Sequence, residues 1–278
     1  MRLSVILSTF NSPAWLEKAL WGYAAQSHRN FEILVADDGS SDETRQRIDV
    51  MRVRTGMTIR HIWHEDRGFR KCTILNRALE AAAADYLVFS DGDCIPRNDF
   101  LAVHARIARL GAFLSGGLYR LPMMVSERIT RDDIVSGRAT DSTWLRSVGV
   151  GWSPKLLKLA CRPPLSRWLD WLTPTKATWN GHNSSGWKAD ILAVNGFDER
   201  MEWGAEDREM GERLVHLGVR PVQIRYRAAC VHLDHDRGYV REEALVRNRE
   251  IWAHTKRTRA TWTDFGIRKD AIPQSRAA

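Results

Sequence analysis

No stretch of this 278-residue chain approaches the ~18 consecutive apolar residues that a membrane-spanning helix needs. Cysteine is sparse: Cys72, Cys94, Cys161 and Cys230 lie far apart, with no CxxC pair. That excludes a disulfide scaffold, leaves a His-x-x-His pair without the thiolates of a structural zinc site, and predicts free thiols in a reducing compartment. There is no internal repeat and no low-complexity tract. Helix-turn-helix, RNP and zinc-finger patterns are missing too, so nucleic acid is not an expected partner. The first apolar run, Leu3 to Ser8, is too short for a signal peptide and reads as a β-strand. These absences predict a cytoplasmic protein, peripheral at most to the inner face of a membrane.

What is present is an ordinary globular composition, 44% apolar and 27% charged, with 42 Lys+Arg against 34 Asp+Glu and a net charge of +8. That excess favours an anionic partner, whether nucleotide phosphates, nucleic acid or an acidic membrane surface, and charge alone does not choose among them. Strand-like and helix-like patterns alternate over the first hundred residues. Strands are predicted at 3–9, 31–36, 58–63 and 85–90, and helices at 15–25, 41–54 and 72–84. This alternation implies βαβ units and a mostly parallel sheet covered on both faces. Ligands of such sheets gather beyond the carboxyl ends of the strands. Three of those ends carry polar residues: Ser8-Thr9-Phe10-Asn11, Asp37-Asp38-Gly39-Ser40 and Asp91-Gly92-Asp93.

Residues 118–178 break the rhythm with Trp152, Trp168 and Trp171 among Lys155, Lys158, Arg162 and Arg167. Such a segment suits either a membrane surface or a hairpin packed over a cleft. A helix is predicted at 208–217, closed by Gly218, and a strand at 219–224. Residues 237–278 read as a basic tail, ten Lys+Arg against five Asp+Glu. The domain reading is therefore one unit over 1–240, with a nucleotide half (1–100) and an acceptor half (101–240), followed by the tail at 241–278.

Asp91 and Asp93 follow an apolar strand, and two carboxylates one residue apart can share Mg²⁺ or Mn²⁺, although the same tripeptide also makes plain surface turns. Asp38 can accept from an imide N–H or a ribose hydroxyl, while a neighbouring Asp caps the next helix. Arg70, after Gly68-Phe69, is suited to phosphate. In Trp203-Gly204-Ala205-Glu206-Asp207, one carboxylate can take a proton from an attacking hydroxyl and the other can hold the acceptor, with Trp203 as a platform for a sugar ring; capping of the following helix is the plainer alternative. His232, and behind it His235, can complete a metal site with the carboxylates.

In this order the motifs resemble a family-two glycosyltransferase of the GT-A fold. The resemblance runs through Ser4-Val5-Ile6-Leu7-Ser8-Thr9-Phe10-Asn11, Val35-Ala36-Asp37-Asp38-Gly39-Ser40, Gly68-Phe69-Arg70-Lys71, Leu75-Asn76-Arg77-Ala78 and Phe89-Ser90-Asp91-Gly92-Asp93. Asn180-Gly181-His182-Asn183-Ser184-Ser185, Val194-Asn195-Gly196-Phe197-Asp198-Glu199 and Trp203 to Asp207 are similar to the acceptor half of β-1,4-galactosyltransferases and bacterial chondroitin-type polymerases. The resemblance implies an α/β, Rossmann-like sheet flanked by helices and a UDP-sugar donor held by Ser8, Phe10, Asn11, Asp38, Arg70, Asp91 and Asn183. It implies Mn²⁺ or Mg²⁺ on Asp91 and Asp93, Asp207 as general base, and Glu206 on a glycan or lipid-linked glycan acceptor. The family's usual second glycine before the acidic pair is Ala205 here. The rival readings are a sugar-phosphate nucleotidyltransferase, which would normally show a Gly-rich loop after the first strand, and a non-catalytic sugar- or nucleotide-binding relative.

Overall fold

The computed structural model describes residues 1–236 and 241–269. The first half runs β1 (Leu3–Thr9), α1 (Pro13–Ala24), β2 (Phe31–Asp37), α2 (Asp42–Thr55), β3 (Ile59–Trp63), α3 (Lys71–Ala81), β4 (Tyr86–Asp91), β5 (Cys94–Pro96) and α4 (Phe100–Ile107). It continues with β6 (Ala112–Ser115), β7 (Gly117–Arg120), α5 (Met123–Arg128), α6 (Arg131–Val135), α7 (Ser142–Ser147), α8 (Leu157–Ala160) and α9 (Leu165–Leu172). The remainder is β8 (Ser184–Trp187), α10 (Lys188–Ala193), α11 (Glu206–His216), β9 (Arg220–Gln223), β10 (Ala229–His232) and α12 (Glu242–Thr258).

A seven-stranded sheet has the order β3-β2-β1-β4-β8-β6-β9. Its first four strands are parallel, while β8 lies antiparallel between β4 and β6. The strands are apolar throughout because both faces are covered. Successive side chains point to opposite faces. Leu3, Val5, Leu7, Ile33 and Val35 accordingly pack with Leu16 and Leu20 of α1 and Ile48 and Met51 of α2. Ile6, Leu34, Ala36, Leu87 and Phe89 pack on the other side with α3, α10 and α11. The mostly parallel sheet between helical layers is the architecture expected from the alternating pattern.

A small second sheet, β5-β10-β7, stands beside the carboxyl ends of the main strands. Among the described residues no helix is long and apolar enough to cross a membrane. All four cysteines are buried and unpaired.

The tail reading needs correction. Over its described part, 241–269, the segment is integral to the domain, and 237–240 and 270–278 lie outside the described residues. α12 packs on α11, where Thr255 Oγ1 donates to Glu209 Oε1 at 2.8 Å. Beyond α12, Thr263 Oγ1 donates to Asp198 Oδ2 (2.7 Å), and Asn195 Nδ2 donates to the carbonyls of Thr263 (2.7 Å) and Arg268 (2.9 Å). The segment is basic overall, but its polar and apolar inner side meets α11 and the 195–199 turn. Ser41 takes the cap position of α2 without a side-chain cap bond, and the expected capping Asp is not seen: Asp37 accepts from the Ser40 N–H and meets His61 Nε2 instead.

Candidate active site

Parallel pairing sets Ser8 opposite Asp91 and Thr9 opposite Asp37, so the ends of β2, β1 and β4 converge. There Ser8 Oγ donates to Asp91 Oδ1 at 2.7 Å. Lys71 Nζ, from the first residue of α3, donates to the same oxygen at 3.2 Å and stands 3.9 Å from Glu206 Oε1. One ammonium therefore joins Asp91 to the Glu206–Asp207 pair. Burial works to raise the pKa of Asp91, but Lys71, the Ser8 hydroxyl, His182 and His232 outweigh it and hold the carboxyl below its ordinary range. Lys71 shows the converse. Burial favours its neutral form, yet Asp91, Asp207 and Glu206 together drive its pKa well above the usual lysine value.

Asp207 and Glu206 open α11. The fit of that helix against the sheet places them: a Cβ on Gly211 would meet Trp179 Cβ at 2.6 Å, so α11 lies close against the chain leading to Gly181. Gly181 then donates its backbone N–H to Asp207 Oδ2 at 2.8 Å. A Cβ at Gly181 would meet that oxygen at 2.8 Å, so any larger residue there would push the carboxylate aside. The other oxygen, Asp207 Oδ1, is buried with no hydrogen-bond partner among the described residues. Burial raises the pKa of Asp207 and Asp91 adds to it, against Lys71 and the Gly181 N–H. Glu206 is pushed up to about 7, first by burial and then by Asp207, with Lys71 opposing.

Ala205, immediately before the pair, sits at φ +72°, a left-handed conformation costly for a residue with a Cβ. Asn248 of α12 holds this turn, its Nδ2 donating to the carbonyls of Glu202 (3.0 Å), Trp203 (3.3 Å) and Gly204 (2.8 Å). Glu206 Oε2 accepts from the Gly204 N–H at 2.8 Å. The helix-end and chemical readings of this pair are thus compatible: Glu206 ties down its own turn, whereas Asp207 is held from outside the helix.

A stability prediction follows from Glu206. Its folded pKa lies above its unfolded value, so the stability it contributes is present below about 4.5 and lost as pH rises through about 7. Glu206→Gln, which does not titrate, should gain stability over the parent across that window by about 2–3 kcal/mol. Urea unfolding at pH 5 and pH 8 measures this; an equal difference at both pH values would refute it.

The pairing of β5 with β10 sets His232 opposite Cys94 and so brings Asp93 beside the histidines. Asp93 Oδ2 lies 3.0 Å from His235 Nε2 and 3.5 Å from His232 Nε2, and one ligand atom from each of the three falls within 4.8 Å of the others. The two imidazoles stack with centroids 5.4 Å apart. One carboxylate oxygen and two imidazole nitrogens make a mixed O/N donor set that can hold a first-row divalent ion such as Mn²⁺. Asp91 groups instead with Asp93 and Cys94, and its Oδ1 is bonded to Ser8 and Lys71. Asp91 thus adjoins this cluster without sharing its histidines.

The remaining candidates are placed unevenly. Asp38 is buried with both oxygens engaged, Oδ1 to His64 Nε2 (2.7 Å) and Oδ2 to the Arg70 N–H (2.9 Å). The Arg70 guanidinium donates to the Glu65 carbonyl at 2.7 Å, while its Nε has no partner among the described residues. Phe10 is exposed, and Asn11 Oδ1 accepts from the Ser41 N–H at 3.0 Å, clamping the β2–α2 turn. Trp203 is half-buried in the turn that Asn248 holds. Asn183 is a correction. It is fully buried, its amide donates to the carbonyls of Gly117 (2.9 Å) and Ala228 (3.1 Å), and its oxygen meets His104 Nε2 (3.0 Å). It joins the two sheets and has no side-chain atom left for a donor.

Sequence reasoning missed Lys71 and His182. Lys71 resembled a surface Arg-Lys pair, because its partners lie 20 and 135 residues away. The pKa of His182 is lowered to about 4, by burial first, with Asp91 and Asp93 acting to raise it and His232 and Lys71 to lower it.

Residues 4–137 match the model described as glycosyl transferase family 2, and residues 174–236 match that described as N-terminal domain of galactosyltransferase. Validoxylamine A glucosyltransferase of Streptomyces hygroscopicus subsp. jinggangensis (strain 5008) is 30% identical over 253 residues, 84% of this chain and 56% of that protein. Chondroitin synthase of Escherichia coli is 24% identical over 230 residues, 78% of this chain and 32% of that protein. The chain thus spans about half the length, or less, of these curated relatives. Among solved structures, S. aureus TarS residues 1–349 in complex with UDP-GlcNAc superposes with a TM-score of 0.60 at 19% identity, covering 91% of this chain and 66% of that one.

Proposed function

The chain belongs to glycosyl transferase family 2, with the GT-A fold and a second half related to galactosyltransferase and chondroitin-polymerase domains, and on that basis we propose that it transfers a hexose or N-acetylhexosamine from a UDP-sugar to a hydroxyl of a glycan or lipid-linked glycan, with inversion. The match to a galactosyltransferase domain favours galactose or N-acetylgalactosamine, in the synthesis of a surface polysaccharide or lipopolysaccharide. A UDP donor is supported by the UDP-GlcNAc complex of TarS.

The observation that carries this reading is Asp207 Oδ1, a buried carboxylate oxygen with no hydrogen-bond partner among the described residues, in a group that feels the charges of both Lys71 and Asp91. In one in-line displacement the acceptor oxygen bonds to the anomeric carbon, its proton passes to Asp207, and the bond from that carbon to the diphosphate oxygen breaks, releasing UDP. Lys71 offsets negative charge among the three carboxylates, and Glu206 and Trp203 shape the acceptor side. Asp93, His232 and His235 would hold a divalent ion. Such an ion, when bound, supplies Lewis-acid neutralisation of the diphosphate.

UDP release from a panel of UDP-sugars, with Mn²⁺, with Mg²⁺ and with EDTA, tests the proposal. One donor should turn over with metal and stop with EDTA. If no donor turns over with any glycan acceptor and calorimetry shows no UDP binding, the transferase reading is wrong.

A further inference from the structure

Helix α9 is built inside out. Its buried residues are polar, Ser166 and Asp170, four apart on one face. Its outer face is apolar: Leu165 is 50% exposed, Trp168 55%, Trp171 78% and Leu172 46%. At 3.6 residues per turn these four fall within about a third of the circumference, opposite the anchored face. The anchoring is specific. Asp170 Oδ1 accepts from the Tyr226 N–H at 2.8 Å and Oδ2 from Arg227 Nε at 2.6 Å, and Thr175, just beyond the helix, receives Gln223 and Arg225. The body of the protein thus holds α9 by its polar side and presents its apolar side outward. Trp152, ahead of α8, is 73% exposed as well.

The charges around this face identify what covers it. Residues 151–178 carry five basic side chains and one acid. That acid, Asp170, is engaged by Arg227, whereas Lys155, Arg167 and Lys176 are exposed. A second copy meeting this face about a two-fold axis would set the basic flank against itself. An anionic lipid surface complements it, and indole rings beside basic residues match the headgroup–acyl boundary.

We propose that the outer face of α9, with Trp152, docks the protein on the headgroup layer of an anionic bilayer. Docking stands independently of the transfer reaction. Its consequence, that the acceptor is lipid-linked and met at the membrane surface, rests on the transferase reading above.

The test is co-sedimentation of the full chain with phosphatidylglycerol–phosphatidylcholine vesicles and with pure phosphatidylcholine vesicles. The parent should bind the anionic vesicles, less so as salt rises. Trp168→Ala/Trp171→Ala should partition about tenfold more weakly or worse, and Lys155→Gln/Arg167→Gln/Lys176→Gln should lose the preference for anionic lipid. Both variants change exposed side chains, so their melting temperatures and their UDP release with a soluble acceptor should match the parent. Equal partitioning of parent and double Trp variant, or no binding to anionic vesicles, would overturn the proposal. So would a lipid-free dimer that the Trp substitutions abolish, which would assign the face to a second copy. Failure of the transferase reading would appear separately, as absent UDP release with vesicle binding intact.

Discussion

Asp207→Asn is expected to lower turnover by about 10²–10⁴-fold, the range a positioned general base contributes, while UDP affinity and melting temperature stay close to those of the parent. The substitution is nearly isosteric. Its remaining carbonyl oxygen can still accept from the Gly181 N–H, so the bond that holds α11 against the 179–181 segment survives. The ability to take a proton at the Oδ1 position is lost. If Asp207 served only to satisfy Gly181, Asn would leave the rate unchanged. If it served as a helix-end charge, the melting temperature would fall together with the rate. Steady-state kinetics, UDP calorimetry and a thermal melt on one preparation separate the three outcomes.

The legibility of the sequence followed the range of the interactions. The strands of the first half are apolar runs because they are buried on both faces, and their boundaries fall within one residue of the run ends. Asp91, Asp93 and Asp38 were visible because a parallel strand must deliver its next residues to the sheet edge. The helix bearing Asp207 begins two residues earlier than its apolar spacing suggests, since its first turn is acidic and its apolar contacts start at Met210. What was illegible depends on distant partners. Asn183 sits in a polar motif that looks ligand-binding, but its amide is consumed by carbonyls 66 and 45 residues away. Nothing local marks Ser166 and Asp170 as the inner face of α9, because the groups that bond Asp170 lie 56 and 57 residues on. The 241–269 segment looked like a charged tail because Asn248 and Thr255 contact α11 and its preceding turn through polar atoms, which hydrophobic periodicity does not register.

Lys71→Met is expected to slow transfer about as severely as loss of the base and, unlike Asp207→Asn, to move the pH profile. Lys71 is the cation that Asp91, Glu206 and Asp207 share, and it acts as a positioning residue for that group. Removing it leaves three carboxylates in a buried space with only His182 and the flanking groups to offset them. Burial already raises both Glu206 and Asp207, Asp207 adds to Glu206 and Asp91 adds to Asp207, with Lys71 opposing in each case, so the Met variant raises them further. A general base must be ionised, so activity falls as pH drops through the apparent constants of the coupled pair. In the variant that acid limb therefore shifts to higher pH, and part of the lost rate returns at pH 9. Lys71→Arg retains the charge and should keep the limb near its original position even where geometry lowers the rate. An unmoved limb in Lys71→Met would show that the ammonium does not set the ionisation of the pair. A rate loss with an unmoved profile and a lowered melting temperature would reduce Lys71 to a fold-stabilising contact with Asp91.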